Sequence, residues 1–216
     1  MISFVIEQNY VFRGKSKTNP TLMGFLIHDF IQIHVLMRKE NSMNIIRLSS
    51  SIKKERQELN NIFEEARPYF NQVEGRDPLP PLIDIQTIIP SIPKELTKCL
   101  SIYYLDQLIG YLWVWEESKT NIYILHLYIR EKHRKLGLGK LAIQTLDKQY
   151  LDKGFLTSEL LVSGSNYLGL KFWLSVGFNK LLYVEAPEEN GPTSSVEIEL
   201  QKDLKIHNLK YQKMKK

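Results

Sequence analysis

The segment NIYILHLYI, residues 121 to 129, is apolar almost without a break. A strand of that character belongs in the interior of a sheet and is buried on both faces, so the fold must flank it with strands and cover it twice. The runs before it supply the strands: CLSIYYLDQLIGYLWVWEES divides at Asp106-Gln107 into two β-rich halves, which predicts a hairpin. Beyond it the text predicts a helix from about Leu138 to Tyr150, a strand at SELLVS, a helix at NYLGLKFWLSV, and strands at KLLYVEA and SSVEIEL. Hairpin first, then strand and helix in alternation, then strands again is a mixed order. It predicts an α+β domain layered around a partly antiparallel sheet.

Upstream, NIIRLS reads as a short strand and SSSIKKERQELNNIFEEARPYF as a helix. Ser50 or Ser51 is the expected N-cap, and Leu59, Ile62, Phe63 and Ala66 recur at helical spacing. The domain is therefore expected over residues 43–201, with residues 1–42 as an extension of no clear pattern and Met43 as a candidate natural start. Between Asn71 and Glu95, Gly75 and a run of prolines predict a loop-rich connection. Residues 202–216 read as a basic, solvated tail, in which Lys202, Lys205, Lys210, Lys213, Lys215 and Lys216 face only Asp203.

The chain has 216 residues, of which 43% are hydrophobic, enough for one well-packed core. Its single cysteine, Cys99, excludes a disulfide framework and a clustered thiolate metal site, and it suits a reducing compartment, so the cytoplasm is expected. Much of the net charge of +5 lies in the tail, and no nucleic-acid-binding motif accompanies it. The apolar stretch TLMGFLIHDFIQIHVLM carries His28, Asp29, Gln32 and His34, which are costly in hydrocarbon, so no membrane span is expected. No His-carboxylate spacing resembles a metal ligand set, and none is expected.

After the buried strand comes HRKLGLGK, residues 133 to 140, two glycines at the start of a helix. The first N–H groups of a helix lack intrahelical partners, and the missing side chains of Gly137 and Gly139 leave them approachable. With the positive end of the helix dipole and Arg134, Lys135 and Lys140 nearby, this is the composition of an anion site, and pyrophosphate is the anion that gains most. A tight strand-to-helix turn would also use two glycines. The spacing lacks the longer glycine run ending in Lys-Ser or Lys-Thr of a P-loop. Arg134 stands where the dinucleotide fingerprint has its first glycine.

Arg134-Lys135-Leu136-Gly137-Leu138-Gly139 resembles the phosphate-binding motif of the GNAT superfamily of acyl-CoA-dependent N-acyltransferases: Arg or Gln, two residues, Gly, one residue, Gly or Ala. HLYIREKHR resembles the strand and turn before that motif, with Leu127 and Ile129 at its aliphatic positions and Glu131 where proline is frequent. NYLGLKFWLSVGF resembles the second family signature, opening at Asn166 and ending at Gly177-Phe178, and ARPYFNQVEGRDP is similar to the first-helix region of a bacterial branch. The resemblance spans roughly Asn44 to Leu200. It implies a mixed, mostly antiparallel sheet with helices on both faces and a splayed central strand pair.

It implies further that acetyl-CoA is the donor and that a primary amine on a small molecule or peptide is the acceptor. The pyrophosphate would rest on the amides of Lys135, Leu136, Gly137, Leu138, Gly139 and Lys140. The pantetheine would pair with the backbone of Leu127, Tyr128 and Ile129, with Asn166 and Trp173 near its arm. The amine would attack the thioester directly in a ternary complex, with a backbone N–H near Ile129 on the developing oxyanion. His126 is the candidate base on this strand, although it would serve equally as a core histidine. The tyrosine that protonates the leaving thiolate in many members is replaced by Trp173, which leaves Tyr167 as an available phenol a turn away, or no dedicated acid at all. Pairing of subunits into a homodimer is a family habit. The alternative to catalysis is a degenerate acyl-CoA-binding sensor or scaffold.

Overall fold

A computed structural model of the chain describes residues 46–78, 80, 92–186 and 196–205. The expected extension at residues 1–42, the middle of the loop between Asn71 and Glu95, and the tail beyond residue 205 lie outside the described residues.

Seven strands form one sheet: β1 (Ile46–Ser50), β2 (Thr97–Tyr104), β3 (Gln107–Trp115), β4 (Asn121–Ile129), β5 (Thr157–Ser163), β6 (Lys180–Glu185) and β7 (Glu197–Asp203). Their order is β1-β2-β3-β4-β5-β7-β6, antiparallel throughout except for the parallel pair β4–β5. The apolar strand β4 lies in the middle, as its composition requires. The hairpin closes with Leu105 and Asp106 at φ 48° and 63°, the left-handed pair that matches the twist of two joined strands.

Among the described residues three helices cover the sheet: α1 (Arg56–Glu74), α2 (Leu138–Asp152) and α3 (Tyr167–Ser175). On one face α1 buries Leu59, Ile62 and Ala66, spaced as one helical stripe, against Cys99, Leu108, Tyr111, Trp113 and Tyr128. On the other face Ala142, Ile143, Leu146 and Tyr150 of α2 pack on Ile102, Leu112, Val114, Ile122 and Ile124. Phe172 and Trp173 of α3, with Val176 and Phe178 beyond it, complete that layer.

Several local expectations change. Neither Ser50 nor Ser51 caps α1: Ser50 ends β1, and the Ser51 hydroxyl lies 2.8 Å from that of Ser101. A 3-10 turn at Lys53–Glu55 comes first, and its opening amide, Ile52 N–H, donates to the Glu55 carboxylate at 3.0 Å. The helix continues past Phe70 to a left-handed cap at Gly75, φ 67°. At the other end β7 extends to Asp203 and buries Lys202, whose ammonium donates to Asp147 of α2 at 2.7 Å and stands 4.5 Å above the Phe178 ring. Lys202 thus belongs to the core, where a cation needs a paired anion. Among the described residues no helix is long and apolar enough to cross a membrane, and no cluster of ligand side chains suits a metal ion.

Candidate functional site

The middle of the sheet comes apart on one side. β4 pairs with β5 from Asn121 opposite Thr157 to Ile124 opposite Leu160, and no pairing follows. At that point Val114 of β3 faces Ile124 but Trp113 faces His126, so Leu125 is an extra residue, a bulge that bends the strand. The bulge puts Leu125 and His126 on the α1 face in succession. Beyond it, alternation resumes with Tyr128 on that face and Leu127 and Ile129 on the α2 face.

The amides past the bulge are oriented by the antiparallel pairing. The Tyr128 carbonyl lies against Gly110 of β3, 2.2 Å from where a Cβ on that glycine would be, and Arg130 N–H donates to Ile109 O at 2.9 Å. A residue's N–H and C=O point to the same neighbour in such a pair, so Leu127 and Ile129 turn theirs into the gap left by β5. Arg134 Nε already donates to Ile129 O at 2.9 Å. Its guanidinium stacks 4.6 Å above Tyr128 and 5.2 Å above Tyr69 of α1, which fixes it at the head of the gap.

The turn into α2 then crosses the same opening. Lys135 and Gly137 take left-handed conformations, φ 61° and 77°, and α2 starts at Leu138. Leu141 N–H is the first helical amide to reach a carbonyl, that of Gly137 at 3.1 Å. The N–H groups of Leu138, Gly139 and Lys140 therefore open outward from the first turn, which carries no acidic residue. A Cβ on Gly137 would meet nothing within 4 Å, so its surroundings are open, whereas one on Gly139 would lie 3.2 Å from the Phe172 ring. The two glycines thus differ: Gly137 holds a left-handed φ that glycine favours, and Gly139 lies close against the ring of α3 beneath it. Leu136 is exposed at the tip of the turn and Leu138 points into the core. Open amides at the positive end of a helix dipole form a cradle of the kind that accepts an anion.

His126 is 6% exposed, packed between Phe70 of α1, 4.8 Å between ring centres, and Tyr111 of β3, 5.1 Å. Burial lowers its pKa to about 3, so the imidazole is neutral at physiological pH. Its Nε2 is buried without a hydrogen-bond partner among the described residues. Beside it, the Tyr128 hydroxyl donates to Glu65 O at 3.2 Å and is pushed up to about 12, chiefly by burial.

Asn166 caps α3 by accepting Gly169 N–H at 2.9 Å; the same oxygen accepts the Tyr69 hydroxyl at 2.8 Å, and its amide donates to Glu74 at 2.9 Å. This side chain ties α3 to the end of α1. Tyr69 was not singled out in the sequence, and the signal available for it was the resemblance of ARPYFNQVEGRDP. Trp173 packs edge-on against Phe172 and Phe178 at 4.9 and 5.4 Å, on the core side. Tyr167 opens α3 and is 66% exposed. Glu116 and Glu117, just past the end of β3, have partners: Glu116 accepts the Tyr150 hydroxyl at 3.1 Å, and Glu117 accepts the Asn121 amide at 2.5 Å.

A parallel strand pair thus parts beside an open helix N-terminus. The chain belongs to the acetyltransferase (GNAT) family, whose profile matches residues 59–178. Among solved structures, an acetyltransferase of Salmonella typhimurium that modifies the N-terminal serine of ribosomal protein L7/L12 is similar at 13% identity and a TM-score of 0.58, over 74% of this chain and 95% of that one. A spermidine N-acetyltransferase chimera from Vibrio cholerae is similar at 14% identity and a TM-score of 0.55, over 76% and 99%. A GNAT acetyltransferase of Elizabethkingia anophelis with acetyl-CoA bound is similar at 13% identity and a TM-score of 0.50, over 74% and 98%. At these identities the likeness establishes the fold. A search of curated protein sequences finds no match.

Proposed function

We propose that the protein transfers the acetyl group of acetyl-CoA to a primary amine by direct attack within a ternary complex. The observation that carries this reading is the gap between β4 and β5, with the amide groups of Leu127 and Ile129 turned into it and the first turn of α2 open at its head. The amides of residues 135–140, with Arg134 and Lys140, hold the pyrophosphate; the edge of β4 from Leu127 to Ile129 pairs with the pantetheine amides. Asn166 and Trp173 border the arm: Asn166 fixes the start of α3, and Trp173 supplies packing.

The neutral amine attacks the thioester carbonyl carbon as the carbonyl oxygen takes up negative charge, and the Ile129 N–H donates to that oxygen. The C–N bond forms, the C–S bond breaks, and the CoA thiolate departs. His126 Nε2, neutral and unpartnered, accepts a hydrogen bond from the amine and orients its lone pair. Water takes the proton lost from nitrogen, because an imidazole held so far below its usual range is a poor base. A thiol with a pKa of about 8.5 is an adequate leaving group, so neither Tyr167 nor Trp173 need act as an acid.

Calorimetric titration with acetyl-CoA of the wild type and of Lys140→Glu tests the donor site. Binding by the wild type that is weakened in the variant is expected. Equal affinity in both would remove the phosphate cradle from the reading. Binding without acetylation of any amine would instead favour a sensor. We also propose that two copies pair along β6, a free sheet edge whose six residues are all exposed, Leu181, Leu182, Tyr183 and Val184 among them. A sedimentation mass of one chain at micromolar concentration would exclude this.

A further inference from the structure

Between the end of β4 and the first turn of α2 the chain makes a 3-10 turn, Glu131–His133, before it reaches Arg134 and the glycines. The direction in which that turn leaves the strand decides where the open amides of α2 point. Its start has no local cap: Arg130, at the N-cap, offers it no side-chain bond. The first amides of such a turn need partners from elsewhere.

The partner comes from α1. The Glu131 N–H donates to Glu65 Oε1 at 2.7 Å, as short as a bond to a charged acceptor should be, and the Tyr128 hydroxyl donates to Glu65 O at 3.2 Å. Between them, the Arg130 guanidinium lies 2.9 Å from Glu58, and its Nε stands 3.6 Å from the second oxygen of Glu65, with 13% of the side chain exposed. Glu58, Glu65 and Tyr69 recur at helical spacing. One stripe of α1 thus takes hold of Tyr128, Arg130, Glu131 and Arg134 in succession.

Charge alone gives no reason for this arrangement. Two carboxylates around one guanidinium leave net negative charge beside a cradle for an anion, where repulsion weakens binding. Position 131 supplies the reason. Proline is frequent there in the motif that this segment resembles, and a proline fixes its own φ and has no N–H to satisfy. Here the residue is a glutamate, which is freer in φ and carries an N–H. Arg130 nevertheless holds ψ at 139°, in the extended range that a following proline requires.

We propose that Glu65 is a positioning residue of the donor site: its carboxylate holds the Glu131 amide and so does from α1 what a proline ring does from within the turn, setting the angle at which the open amides of α2 meet the edge of β4. This rests on the reading of those amides as the pyrophosphate cradle of acetyl-CoA. Glu65 acts through the population of the turn. A turn that holds the binding geometry only part of the time lowers the apparent affinity in proportion to that fraction. Loss of one charge-assisted, partly exposed hydrogen bond shifts such an equilibrium by up to about tenfold.

The test is calorimetric titration with acetyl-CoA of the wild type, Glu65→Ala, Glu65→Gln, Glu131→Pro and the double variant Glu65→Ala with Glu131→Pro. Glu65→Ala should bind about fivefold to tenfold more weakly than the wild type, and Glu65→Gln, which keeps an oxygen for the amide, should stay within about threefold of it. Glu131→Pro should bind as the wild type does, and with the proline in place Glu65→Ala should cost nothing further. Glu65→Ala that binds as well as the wild type, or more tightly as simple removal of a repelling charge would have it, overturns the proposal and leaves the donor reading standing. An equal loss on Glu65→Ala with and without the proline does the same, since α1 would then be merely loosened. If Glu131→Pro is unfolded by its circular dichroism, the other two variants decide: equal losses in Glu65→Ala and Glu65→Gln overturn the proposal, and the larger loss in Glu65→Ala supports it. No binding by the wild type removes the donor reading itself, and the proposal with it.

Discussion

Replacing His126 by Phe separates the chemistry of its buried imidazole from its packing. Phe fills the slot between Phe70 and Tyr111 but binds no proton. In the unfolded chain a histidine titrates near pH 6.5, whereas in the fold His126 holds its proton only below about pH 3, so the unfolded state binds the extra proton throughout the interval. A folded pKa below the unfolded value means that the contribution is whole above pH 6.5 and is lost as pH falls toward 3. Each pH unit below 6.5 costs about 1.4 kcal/mol, so from pH 7 to pH 5 the wild type should lose about 2 kcal/mol more than His126→Phe. Every other titrating group is common to both proteins and cancels in the difference. Urea unfolding followed by tryptophan fluorescence at the two pH values measures it. Parallel losses would refute the reasoning: His126 would then be solvated, and a neutral imidazole orienting the amine would have no basis.

Lys202→Met should cost about 3 to 5 kcal/mol by leaving Asp147 buried without its cation, and Asp147→Leu added to it should restore most of that; urea midpoints of the single and double variants check both. Leu105→Asn with Asp106→Gly places the preferred residues at two left-handed positions of the β2–β3 turn and should stabilise the protein by about 1 kcal/mol in the same assay. Tyr167→Phe should leave kcat within about twofold of the wild type, since the phenol is exposed at the start of α3; a hundredfold loss would make Tyr167 the acid instead.

The sheet was legible because its strands declare themselves locally. NIYILHLYI is β4 to the residue, and the hairpin and the helix at Leu138 fall where alternation and turn chemistry put them. Legibility ended where a residue's partner is distant in the chain. Ser51 reads as a cap from its neighbours alone, yet its hydroxyl is taken by Ser101 from the next strand. Lys202 reads as part of a basic tail, because nothing near it in sequence shows that Asp147 waits on α2.

The same distinction divides the site. The proposed phosphate end is local, a strand, a turn and a helix start within one stretch of sequence, so the glycines and cations mark it, though not that Gly139 lies against Phe172 of α3. The face beyond the gap is assembled from strands far apart in the chain, and Glu159, Glu197 and Glu199 share it only through the β5–β7 register. Alternation alone places Glu197 and Glu199 on one face of β7, but it does not say that the strand beside them on that face is the one that parts from β4. What lies on that face is therefore set by register rather than by motif, and substitutions there on β5 and β7 should leave acetyl-CoA affinity unchanged in a calorimetric titration.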